Sequence, residues 1–306
     1  MSATDTVERT RRPARHELGP AAWLGRAFAV LVTVFFVVFF VVPILWLLIA
    51  SGKSPHDLIT TGPFTPGTAG DLVANWDALV RFQDGIVFRW LGNSAYYSLA
   101  ALAITLVTTI PAGYALALGD FRGRKVLLTT TLVVMLIPNT ALVLPIFLEL
   151  SAANLIGTPL AAILPFSFYP FGVYLTYIYF STSVPRDLLD AARIDGCGEV
   201  AVFLRIGLPL ALPVIALVGF FSFVANWNNF FLPFLTVPGQ AAPVQVGLTE
   251  LLSSVPAFNP TAAGVTSIEL PTLAVATLLS ITPVLLIFLF SQRFLVAGLT
   301  AGGTKE

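Results

Sequence analysis

The chain has little charge. Asp, Glu, Lys and Arg make up 10% of its 306 residues, against about 25% in a typical soluble domain. Hydrophobic residues reach 57%, and mean hydropathy is +0.88. A soluble fold is excluded on that balance, and the chain reads as an integral membrane protein. There is one cysteine, Cys197, so no internal disulfide can form, and nothing has metal-ligand spacing. The two histidines, His16 and His56, lie far apart in polar segments and read as solvated. No Gly-x4-Gly-Lys-Ser/Thr stretch occurs, so a phosphate-cradling loop is excluded. Ionisable residues are missing from mid-span: Glu149 and Glu269 fall beside span ends. Ion-coupled carriers commonly keep such groups in their spans, which argues against that class and against channels. No cluster of His, Ser or carboxylates suits a membrane-embedded enzyme.

What is present is a series of long apolar runs. Crossing a ~30 Å hydrocarbon core takes roughly 20 helical residues. Six runs qualify, at about 27–50, 94–118, 126–150, 159–180, 210–235 and 271–290. The expected fold is an all-α membrane protein of six spans. Residues 1–26, with five arginines, read as a disordered tail. The six-span body covers 27–296, and 297–306 reads as a second tail. A signal peptide is a poor fit, because the first run is too long and lacks a small-residue cleavage site. Only Lys53, Arg81 and Arg89 of the 16 Lys and Arg fall on the side opposite the termini. The positive-inside rule then puts both termini in the cytoplasm. The segment 53–89 reads as an outer loop with short helical pieces, with Trp76 and Trp90 as interfacial anchors. Pro/Gly-punctuated residues 236–268 form a second polar outer segment.

The densest charge in the second half lies between the fourth and fifth spans, from Ser183 to Pro213. Ser183 can cap a helix starting at Pro185, and left-handed Gly196 can end it. A second short helix can run through Phe203 toward Pro209. The small Ala191 and Ala192 permit close approach by another protein. Asp195 suits a cap of the following turn, and Cys197 a packing role.

Ala191, Ala192, Asp195, Gly196, Phe203, Ile206, Leu208 and Pro209 are spaced like the Glu-Ala-Ala loop of importer permeases in the ATP-binding-cassette superfamily, which this segment resembles. Asp190 stands where that pattern has Glu, and Cys197 where it has Ala. Further stretches are similar to the same permeases: Phe88–Ser94, Met135–Pro138, Pro145-Ile146 and Trp227–Pro233. Gln292-Arg293-Phe294 and Gly298–Gly302 are similar to the carbohydrate-uptake branch, specifically to the second, maltose-type permease of a heterodimeric pair.

The resemblance implies a binding-protein-dependent importer. Two unlike permeases would form the path in the cell membrane, two ATPase subunits would sit below, and an extracytoplasmic solute-binding protein would deliver sugar. ATP and Mg would belong to the partner ATPase, with no cofactor on this chain, no nucleic-acid partner and no hydrolysis by the chain itself. Pro185, Leu188, Asp190, Ala191, Ala192, Asp195 and Gly196 would couple to the ATPase, with Asp190 facing a basic residue there. Gly298, Leu299, Thr300, Ala301 and Gly302 would reach toward the same partner.

A sugar path also needs polar groups at membrane depth. Asn139, Tyr169, Ser222, Trp227, Asn228 and Asn229 are the candidates, with Thr140, Asn226, Phe221 and Phe230 beside them. Helix packing is the competing role for each. A related importer for glycerol phosphate or a polyamine is the alternative reading. An anionic solute would favour Lys or Arg in the path, and none is evident.

Overall fold

The computed structural model describes residues 20–262 and 268–300, and every described element is helical. Residues up to Leu47 form one unit. It is the greater part of α1 (Pro20–Ser51). From Trp23 to Phe40 its large apolar side chains face outward, and Phe35–Phe39 and Phe36–Phe40 stack at 6.1 and 6.2 Å, one helical turn apart. An outward apolar helix of this length suits lipid. It begins at Pro20 rather than at 27, because proline fits a first helical turn.

The rest of the chain is a second unit. It opens with α2 (Pro55–Thr60) and α3 (Ala69–Arg81). Both start with a hydroxyl cap: Ser54 Oγ accepts from Asp57 N–H and Thr68 Oγ from Asp71 N–H. Each hydroxyl donates in turn to the same aspartate's carboxylate. Gln83 and Asp84 then take positive φ, and α4 (Ile86–Leu118) starts at once.

The second span was expected from 94. Its earlier start overturns the interfacial reading of Trp90, which is fully buried. The indole donates to Gly239 O at 3.1 Å. Asn93, Ser94 and Tyr97, one turn on, hold the same loop: Asn93 donates to Gln240 O and Ala242 O, Tyr97 to Ala241 O, and Ser94 Oγ accepts from Val244 N–H.

The third expected span is two helices, α5 (Arg124–Met135) and α6 (Asn139–Ala152), bent by 104°. Pro138 has no N–H and excludes the helical region for Ile137, which breaks the run. The fourth, α7 (Pro159–Ser167) and α8 (Pro170–Thr182), is interrupted at Phe168-Tyr169, again before a proline. Then come α9 (Arg186–Ile194), α10 (Glu199–Val202), a π turn at Phe203–Gly207 and α11 (Leu208–Leu210).

The fifth expected span is also broken. α12 (Leu212–Trp227) bends by 75° from the helix before it and stops at Trp227, and α13 (Phe231–Thr236) follows. Trp227-Asn228-Asn229 is therefore a helix end and not a span interior. The polar segment after 236 contains α14 (Val244–Ser253), which buries Val244, Val246 and Leu251. α15 (Leu270–Thr300) runs past the expected tail boundary at 297. By length and composition four helical stretches can cross a membrane, and six if each bent pair counts as one.

Three apolar clusters hold this unit. One joins Trp90, Phe223, Trp227, Leu251 and Ala276; a second joins Tyr114, Phe180, Leu189, Val202 and Val218; a third joins Tyr97, Val143, Ala161 and Leu232. Small residues let the helices meet. A Cβ on Gly113 of α4 would fall 2.4 Å from Thr176 of α8, the close backbone contact that membrane helices use.

Candidate functional site

The first site is the knuckle at 183–210. α9 starts at Arg186, and Pro185 takes the N-cap position in extended backbone. Ser183 does not cap it. Its N–H still closes α8 on Tyr179 O at 2.8 Å, so it sits two residues before the N-cap position. Gly196 ends the helix at φ +87, as expected. Gly196 N–H bonds Arg193 O and Cys197 N–H bonds Ala192 O, each at 3.0 Å. The backbone supplies this cap. Asp195 occupies the C-cap, exposed, and its carboxylate makes no hydrogen bond among the described residues, so the expected side-chain cap is not formed.

α9 turns Leu189 and Ala192 inward against the second cluster. Fully burying a leucine contributes about 2 kcal/mol, and this is what seats the helix. Leu188 and Ala191 stay on the outer side, and Ile194 is 86% exposed. Cys197 packs half-buried on the cluster.

Asp190 already has an internal partner. Arg193 Nη1 lies 2.6 Å from Asp190 Oδ1. The same guanidinium forks onto Glu199, Nε to Oε1 at 2.8 Å and Nη2 to Oε2 at 3.0 Å. These bonds hold Glu199 below the usual carboxylate range and push the Arg193 guanidinium up. The sequence reading missed this three-residue set. The available signal was opposite charge on both sides of the Gly196 turn.

The second site is a cavity of about 730 Å³. It lies where three helix pairs break: α5/α6, α7/α8 and α12/α13. Helix ends leave backbone N–H and C=O groups without intrahelical partners, and each break brings one end of each kind. Asn139, Thr140, Tyr169, Asn226, Asn228 and Asn229 line it, with Phe230 among several aromatic rings. Among the described residues, none that lines it is charged. Asn226 and Asn228 spend their amide groups on their own helix, donating to Ser222 O and Val224 O.

Two expected path residues lie elsewhere. Ser222 is fully buried. Trp227 stacks on Phe223 at 5.5 Å and donates to Ser280 O at 2.9 Å. One residue is 100° of helix, so Trp227 turns its ring away from the face that Asn226 presents. Phe221 packs on Phe171 and Phe220. The rings at Phe166, Phe168 and Phe171, which do line the cavity, were not singled out in the sequence.

Residues 109–301 match the family described as binding-protein-dependent transport system inner membrane component. The chain belongs to this family. Relatives agree along nearly the whole length. The arabinooligosaccharides transport system permease protein AraQ of Halalkalibacterium halodurans is 32% identical over 93% of this chain and 96% of its own. The sulfoquinovosyl glycerol transport system permease protein SmoH of Agrobacterium fabrum is 30% identical over 86% and 88%. A bacterial ABC transporter involved in importing the acidic polysaccharide alginate shares the fold, with TM-score 0.77 and 22% identity over 95% of this chain and 100% of that one.

As a family member the chain is an inner-membrane transport subunit, a permease and not an enzyme. The family match takes in both the knuckle and the cavity. Of the expected tail contacts, Gly298, Leu299 and Thr300 form the last turn of α15, while Ala301 and Gly302 lie outside the described residues.

Proposed function

We propose that this permease is one of two unlike permeases of an ATP-driven importer of uncharged sugars. The observation that carries the reading is the cavity at the three helix breaks. Its amides, hydroxyls and free helix ends both donate and accept, as sugar hydroxyls do, and its rings offer faces for a sugar to stack on. An ionic solute would need a paired charge in so apolar a setting, and the lining has none. That disfavours glycerol phosphate and polyamines. The relatives' names, among them permeases for arabinooligosaccharides and lactose, support sugar. The lack of ionisable groups at mid-span argues against ion coupling.

In this reading both termini and the knuckle face the cytoplasm, and six spans cross the membrane with three of them broken. The helix 186–194 and its flanks, Pro185 and Asp195-Gly196, seat in a cleft of an ATPase subunit that holds ATP and Mg. Residues 298–302 reach the same subunit. An extracytoplasmic binding protein delivers the sugar.

The test is ATP hydrolysis by the complex of both permeases and the ATPase in lipid, with binding protein and single sugars added in turn. One neutral sugar should raise hydrolysis, and Gly196→Pro should abolish the rise while the complex still assembles. Hydrolysis indifferent to every sugar would refute the assignment.

A further inference from the structure

Arg193 is the cation that closes the knuckle. It lies in the last turn of α9, and its fork to Glu199 crosses the Gly196 turn into α10. Three charge-assisted bonds of 2.6–3.0 Å leave one guanidinium. Both carboxylates are on the outer side and the arginine is only a third exposed. The turn is held at its glycines by backbone alone: Gly196 N–H and Cys197 N–H bond back to α9, and a Cβ on Gly196 or on Gly198 would meet nothing within 4 Å. Without the brace, α9 and α10 would be joined across the Gly-Cys-Gly turn only by those backbone bonds and by apolar packing, Cys197 included. Beneath the brace lies Tyr114 of α4. Its ring packs on Phe180 at 5.1 Å and on Phe203, in the turn after α10, at 4.9 Å. A Cβ on Gly207 would sit 3.1 Å from that ring. The chain of contact therefore runs from α9 through the brace to α10, the π turn and α4.

We infer that Arg193 is a positioning residue for coupling: it makes α9 and α10 one lever, so that a push on α9 reaches α4 instead of being absorbed in the Gly196–Gly198 turn. This rests on the importer reading above. It also assigns Asp190 an internal role, in place of the ionic contact to an ATPase that the sequence suggested. A lysine could meet one carboxylate at a time but not fork onto Glu199 while holding Asp190.

The test uses the full complex in lipid and reads the ratio of sugar-stimulated to basal ATP hydrolysis. Wild type must show stimulation; if it does not, the importer reading fails before the brace is examined. With wild type stimulated, Arg193→Met should lower the ratio about fivefold, the scale of a well-formed exposed ion-pair network. Arg193→Lys should fall between the two. Arg193→Glu with Glu199→Arg should recover part of the loss, which a purely steric role for Arg193 would not allow. An unchanged ratio in Arg193→Met overturns the inference and leaves the importer reading intact. Should Arg193→Met fail to assemble with the ATPase, Glu199→Gln decides. It keeps the Asp190 contact and loses the charged fork. A lowered ratio then supports the brace, and an unchanged one overturns it.

Discussion

Gly247 of α14 lies flat against the indole of Trp90 in α4. A Cβ at position 247 would fall 2.1 Å from Trp90 Cε3. Trp90 cannot retreat, because it is fully buried and its N–H is held by Gly239 O. Gly247→Ala should therefore cost about 1–3 kcal/mol by overpacking and lower the thermal midpoint in detergent. Gly219→Ala is the control: its Cβ would meet only Leu102, at 3.9 Å. Equal midpoints for the two variants would show that α14 can slide off Trp90.

Lys53 is 1% exposed and forms no ion pair among the described residues. Its ammonium donates to Gly62 O at 2.7 Å and Thr61 Oγ at 3.0 Å. Asn75 binds the backbone beside it, at Ser51 O and Lys53 O. Lys53→Met keeps the aliphatic bulk and strands these acceptors. It should cost about 1–3 kcal/mol and open the 54–68 segment to protease. Unchanged cleavage would mean that the capped starts of α2 and α3 suffice to hold the segment.

Lys53 also shows where the sequence misleads. In a polar stretch it reads as a solvated loop residue, and only tertiary packing buries it. Trp90 fails for the same reason: tryptophan next to arginine at a span edge looks interfacial until α14 covers it. The element types were legible because apolar runs of about 20 residues have few alternatives. The breaks were half legible. Pro138 and Pro170 are visible, but proline is also tolerated inside membrane helices, as Pro111, Pro145 and Pro283 are here. Gly196 was legible because a left-handed end has few other solutions. The Arg193–Glu199 fork was not, since six residues apart is no helix spacing until the turn brings them together. Of the residues chosen by polarity, the asparagines line the cavity, while Ser222 and Trp227 lie outside its lining. Polarity does not report which face of α12 looks inward.

Tyr114 carries a buried hydroxyl with no hydrogen bond among the described residues, although Arg193 is close by. An unpaired buried hydroxyl is costly, so Tyr114→Phe should leave the thermal midpoint unchanged or raise it, since ring packing on Phe180 and Phe203 is kept. A drop in midpoint would show that Arg193 does reach the hydroxyl in the membrane.

Glu199 sits below the ordinary glutamate range because Arg193 donates to it. The sign follows from linkage. A carboxyl depressed in the native state adds stability that is complete above its unfolded value, about 4.3. That contribution is lost as pH falls through the lower native value. Thermal melts from neutral to acid pH should show the knuckle's share constant down to that range, then declining. Glu199→Gln should be less stable than wild type at neutrality, and the gap should close in acid. Glu199 is largely exposed and Arg193 a third exposed, so solvent screens the pair, the gap is small and it should shrink in high salt. A gap independent of pH would assign the loss to the side-chain swap rather than to the ion pair.

The cavity makes the sharpest separation between transport and packing. Asn139 and Asn229 line it, and neither side chain bonds elsewhere among the described residues, so their amides are available to a solute. Trp227, two residues from Asn229, is 2% exposed and fixed to Ser280 O. Asn139→Ala and Asn229→Ala should each lower sugar uptake about tenfold, the factor of one lost hydrogen bond of roughly 1.4 kcal/mol, at unchanged protein yield. Trp227→Phe should do the reverse. It removes the buried indole donor to Ser280 O and should lower the thermal midpoint, with uptake per folded complex preserved. Radiolabelled sugar uptake into proteoliposomes, normalised to folded complex, reads both. If Trp227→Phe blocks uptake at full stability while the asparagine variants transport normally, the path runs on the other face of α12. The charge-free cavity would then be a packing defect between broken helices.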